Sequence, residues 1–115
     1  MNEIICHLRD TEREIHLLQL NLLLERDGAF IPRPETGIWA NERQYLHVNG
    51  MEALADFTAA RLKLIQTLQE QSDEMWARRA RHAIFGPTDF QEVISFIADH
   101  DRLHIQQAWK TLQSI

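Results

Sequence analysis

Apolar residues recur at steps of three and four along three long stretches, about Asn2 to Asp27, Gly50 to Gln71 and Thr88 to Ser114. At ~100° per residue that spacing draws one stripe along a helix. In the second stretch Met51, Leu54, Phe57, Thr58, Leu62, Leu64, Ile65 and Leu68 share a face, with Arg61 among them. In the third, Val93, Phe96, Ile97, Leu103 and Ala108 form the corresponding arc, and His100 and His104 sit near its centre. The first stretch has one face of Ile4, His7, Leu8, Thr11, Ile15, Leu18 and Leu22 and a second strip, Leu17, Leu20 and Leu24, on the far side. A helix apolar on two sides needs two neighbours. No period of two competes, so the expected class is all-α.

Asn49 with Glu52, and Thr88 with Gln91, have the spacing of capping boxes and mark where the second and third helices begin. At 1.5 Å per residue the three rods are each about 30 to 40 Å long, matched for a bundle. Three rods leave the strip Leu17, Leu20 and Leu24 short of a cover, and a second copy of the chain is the expected source. Between the first two rods, Gly28 to Asn49 is long for a bundle connection. It holds Trp39, Tyr45 and His47, and "TGIWANERQYL" reads as a short helix. Trp39 there is either part of a pocket lid or a cover on the bundle end.

At 115 residues and 44% hydrophobic content, residues 1–115 form a single domain with one core. No apolar run is long enough to span a bilayer. The lone Cys6 forms no internal disulfide, and "MNEIICHLRD" lacks a secretory n-region, so a cytoplasmic location is expected. A net charge of −5 argues against nucleic acid as a partner. The basic cluster "ARRARH" reads as a solvated face able to hold small anionic groups.

Two histidines four apart leave one side of a helix together. Either the core tolerates the pair or the pair binds something. His7 lies on the apolar face of the first rod, and if that rod runs antiparallel to the third, its start lies beside the late part of the third. His7, His100 and His104 then meet at one level. Three imidazoles without a fourth protein ligand describe an open metal site, the kind used for Lewis-acid chemistry. Imidazole alone does not choose among zinc, nickel, copper and iron.

Of the remaining histidines, His16 falls on a face away from His7, and His47 and His82 lie in loops, all read as structural or lid residues. Cys6, turned ~100° from His7, reads as a buried inert thiol. Asp99 and Asp101 point to other faces than His100. Thr11 and Gln107, one turn from His7 and His104, are candidates to orient substrate or steady the ligands. Arg61 is either paired with a carboxylate such as Glu14 or an anion clamp. Phosphate loops, zinc-finger cysteines and nucleophile-elbow contexts do not occur.

Taken with "ICHLRDTE", the stretches "REIHLLQLNLLLERDGAFIPRP" and "ARHAIFGPTDFQEVISFIADHDRLHIQQ" resemble the DinB/YfiT-like superfamily of metal-dependent enzymes. The resemblance implies that His7 and the H-x-x-x-H pair His100 and His104 bind one divalent ion, zinc or nickel. It also implies a helical bundle of up to four helices, against which this chain reads as shortened at its start by the usual first helix. Relatives of this kind include thiol-dependent S-transferases and isomerases that use low-molecular-weight thiols. Two functions are therefore carried forward: a metal-dependent enzyme, transferase or hydrolase-like, and a non-catalytic metal-binding or dimerising helical module.

Overall fold

A computed structural model describes residues 1–114. The first rod comprises α1 (Asn2–Thr11), a π-helical turn (Glu12–His16) and α2 (Leu17–Glu25), with no break in the helical backbone. The Leu17 N–H bonds to the Glu12 carbonyl, five residues back. A turn of that kind inserts one extra residue into the α pattern. Everything after it is displaced by one position relative to a plain α-helix. Leu20 and Leu23 therefore enter the core at 1% and 0% exposure, while Leu18, expected inside, is 44% exposed.

The connection that follows holds β1 (Ala29–Ile31), the short helix α3 (Trp39–Glu42) and a 3₁₀ turn (Tyr45–His47). The expected short helix in this connection is thus present. The second rod is α4 (Gly50–Gln69), whose start is capped by Asn49 Oδ1 accepting from the N–H groups of Met51 and Glu52 at 3.0 and 3.1 Å. After the single turn α5 (Asp73–Trp76) come β2 (Arg79–His82), β3 (Gly86–Asp89) and the third rod, α6 (Phe90–Gln113). Its cap is Asp89, which accepts from the Glu92 N–H at 2.8 Å. Thr88, the expected cap, belongs to β3 and bonds the Ala80 carbonyl.

The three strands correct the expectation that no β period is present. β1 runs parallel to β2 and β2 antiparallel to β3, with Ala29 opposite Ala80 and Ala80 opposite Thr88. "RARH" is alternation on a four-residue scale: Arg79 and Arg81 face out, Ala80 and His82 face in. The basic cluster divides accordingly. Arg79 pairs with Asp27 at 3.0 Å, and Arg78 donates to the last carbonyls of α2, Leu23 O and Leu24 O, at 3.0 and 2.9 Å. Gly28 and Gly86 lie at φ 75° and 69°, a left-handed backbone that glycine adopts without a Cβ penalty.

The sheet supplies the surface that the first rod had left without a neighbour. Leu20, Leu23, Ala29, Ile31, Ala80, Phe90, Val93 and Ile97 make one buried cluster, with Leu17 and Leu24 packed on its edge. The strip is therefore covered largely within the chain, by β1, β2 and the first half of α6. A smaller cluster, Cys6, Tyr45 and Ala53, lies under the long connection. No helix among the described residues is long and apolar enough to cross a membrane.

Candidate metal centre

α1 packs against α6, with His7 beside His100 and His104 in the middle of α6. His7 leaves α1 toward His100 and His104 on α6. Ring centroids are 5.4 Å apart for His7 and His100, 4.6 Å for His7 and His104, and 4.4 Å for His100 and His104. One ring nitrogen of each lies within 4.8 Å of the others. His7 Nε2 and His100 Nε2 face each other at 3.4 Å.

Bonds of ~2.0–2.1 Å from tetrahedral zinc to imidazole place two ligand nitrogens ~3.3 Å apart, so the facing pair already has the spacing of a shared ion. The donor set fits too. Burial first, then the neighbouring rings His16, His104 and His7, push the pKa of His100 down to about 3. Burial, His104 and His16 lower that of His7. Both rings are neutral at pH 7 and offer lone pairs, the form a cation binds. His100 Nδ1 is the one buried side-chain nitrogen or oxygen among the described residues with no hydrogen-bond partner, whereas His104 Nδ1 is held by Gln107 Oε1 at 2.8 Å. These three residues could hold a metal ion.

Residues 2–108 match the family model of the DinB superfamily. The chain belongs to the DinB superfamily. No curated protein matches it. The membership accords with three long helical rods and a His cluster that could hold a metal ion.

In this DinB-superfamily chain the other candidates are distributed unevenly. Gln107 touches His104. Thr11 lies one turn from His7, but its hydroxyl donates to the His7 and Leu8 carbonyls at 2.8 and 3.2 Å. Its hydrogen is thus committed to its own helix. Trp39 stands away from the centre, packed beside Cys6 and Tyr45, with the Arg43 guanidinium 4.0 Å above its ring. Cys6 is fully buried, and burial raises its thiol pKa.

Residues that sequence reasoning set aside complete the surroundings. The π turn brings His16 back to the histidine side, its ring 5.0 Å from His100 and nearly perpendicular to it. His16 Nδ1 lies 2.7 Å from Glu12 Oε1. Glu12 in turn accepts from Arg61 Nε at 2.5 Å, and Arg61 Nη1 reaches Asp101 Oδ2 at 2.6 Å. The expectation that Glu14 pairs with Arg61 is corrected: Glu14 binds Arg43, and the carboxylates on Arg61 are Glu12 and Asp101. Burial alone would raise the Glu12 carboxyl, but hydrogen bonds from His16 and Arg61 outweigh it and hold the pKa below the ordinary value. The only early signal was the i, i+4 spacing of Glu12 and His16.

Beside the histidines opens a cleft of about 500 Å³, within the range of small-molecule sites. His7, His16 and His100 form one wall, and Phe85, Phe96 and His82 form another, with Arg33 at the rim. His82, expected in a loop, is the last residue of β2 and is buried. His47 is exposed on the 3₁₀ turn and does not line the cleft.

Proposed function

We propose that this chain is a metal-dependent enzyme of the DinB type, with His7, His100 and His104 holding one zinc or nickel ion and the adjoining cleft binding the reactants. The observation that carries the reading is the meeting of three imidazoles from two helices at the edge of a cleft. S-transfer from a low-molecular-weight thiol is the activity favoured for it. The bound ion would supply Lewis acidity that favours thiolate over thiol at neutral pH. The chain's own part is positional: α1 and α6 fix the three donors, Gln107 steadies His104, and Phe85 and Phe96 shield one side of the cleft from water.

The test is elemental analysis of purified protein together with a thiol-conjugation assay, using bacillithiol, mycothiol or glutathione and monochlorobimane. One ion per chain, lost with activity in His104→Ala, supports the enzyme. Metal without turnover on any of these thiols favours the second reading, a non-catalytic metal-binding module that dimerises. A specific observation supports dimerisation: Met51, Leu54, Leu62 and Ile65 on α4, with Ile105, Trp109 and Leu112 on α6, are 40–76% exposed. So many large apolar side chains in water suit an interface. Solution mass reads it directly.

A further inference from the structure

Two histidines in the cleft have their Nδ1 atoms engaged from behind, and in opposite senses. Both oxygens of Glu12 face donors: Oε2 receives Arg61 Nε, and Oε1 receives Arg61 Nη2 at 3.1 Å and His16 Nδ1 at 2.7 Å. A carboxylate held this way only accepts, so His16 Nδ1 carries the hydrogen. At His82 the arrangement is reversed. The backbone N–H groups of Ile84 and Phe85 donate to His82 Nδ1 at 3.1 and 3.3 Å. That nitrogen must be bare, and neutral His82 therefore carries its hydrogen on Nε2. Burial first, then Arg33, lower the His82 pKa, which favours the neutral ring.

Neither outward nitrogen has a protein partner among the described residues, and neither is fully enclosed, since His100 Nδ1 is the one buried orphan. The open space that both residues border is the cleft. His16 stands at its histidine end. His82 stands at its aromatic end, 5.0 Å from the ring of Phe85 and 5.4 Å from that of Phe96, which are themselves 4.7 Å apart. A fixed donor, His82 Nε2–H, thus borders this cavity in an apolar corner.

We propose that the cleft recognises a small carbonyl compound with a flat apolar portion: its oxygen accepts from His82 Nε2–H and its apolar part lies against Phe85 and Phe96. This deepens the reading of the same cleft as a reactant site, but recognition needs no turnover. An unfavourable outcome here is therefore distinguishable from absence of metal or of thiol transfer.

The test uses the full chain as purified, with benzamide as probe and benzylamine, which lacks the carbonyl oxygen, as control. Long-range ¹H–¹⁵N correlation spectra at neutral pH are expected to show His82 as the Nε2–H tautomer. Benzamide is expected to perturb the Phe85, Phe96 and His82 resonances and to bind about tenfold more weakly to His82→Phe, which keeps the ring and removes the donor. Benzylamine is expected to cause no such perturbation. The tautomer is read on the unmodified chain, so the proposal stays open to refutation even if His82→Phe does not fold. His82 protonated on Nδ1, no benzamide binding, or equal binding by wild type and variant would overturn it.

Discussion

The contact between the first rod and α6 has two halves that differ in chemistry. In one, α2 meets the start of α6 through Leu20, Leu23, Phe90, Val93 and Ile97, none more than 5% exposed. In the other, α1 and the π turn meet the middle of α6 through His7, His16, His100 and His104, with Glu12 and Asp101 joined through Arg61 of α4. The dry half is held by burial, which is non-directional and tolerant of register. The polar half requires each group to find its partner, and the π turn provides the register in which His16 and Glu12 do so. Placing the extra residue between the two halves lets one pair of helices serve both requirements.

The largest expected effects strike the dry half. Phe90→Ala should cost about 3–5 kcal/mol in urea unfolding, while the folded fraction keeps its metal stoichiometry. If the loss of stability is below about 1 kcal/mol, the start of α6 is not the stabilising half. Next comes the polar half's central cation. Arg61→Met leaves Glu12, fully buried, and Asp101 without their guanidinium, with an expected loss of about 3 kcal/mol. A variant as stable as wild type would show that the network contributes nothing net.

Acid should act on the polar half before the dry one. At Asp10, burial raises the pKa, but hydrogen bonds from Arg9, Tyr45 and Arg43 reverse the effect and lower it. Glu12 is lowered likewise. A carboxyl with a lower pKa folded than unfolded stabilises the fold fully above its unfolded value, and that contribution is lost as pH falls through the folded value. Melting temperature should therefore decline below about pH 4.5, the ordinary value for Glu12, and continue to fall through the ordinary value of 3.8 for Asp10. In Glu12→Gln, itself less stable, the decline should be shallower. An unchanged acid slope would remove Glu12 from the account.

Much of this division was legible in the sequence, and the failures have two causes. Periodicity located the three rods, the cap at Asn49 and the helical turn in the connection. It also put His7, His100 and His104 on inward faces, because each lies within an unbroken α stretch. What it missed along the first rod lies at the end of the π turn and just beyond it: His16 was placed away from His7, and Leu18 was placed inside. A single inserted residue rotates the following helix by ~100°, and no residue type in "EREIH" announces it. The sheet was missed for another reason. Its strands are three or four residues long, too short for alternation to outweigh the charge of "ARRARH".

Smaller effects are expected at the histidines when no ion is bound. His104→Ala should change metal-free stability by no more than about 1 kcal/mol, because the ring is half-buried and its one hydrogen bond runs to exposed Gln107. A loss comparable to Phe90→Ala would make His104 a core residue first. Smallest of all is Asp99→Asn, which removes an exposed pair with Arg102 and should shift stability by less than about 0.5 kcal/mol.

The account rests on the three imidazoles acting as one cation site. Native mass spectrometry of the full chain, titrated with zinc or nickel at micromolar concentration, reads this directly. The expected result is one ion per chain in the wild type and none in His7→Ala, His100→Ala or His104→Ala, each still folded by circular dichroism. A wild type that takes up no ion, or a folded His100→Ala variant that retains full occupancy, would contradict it.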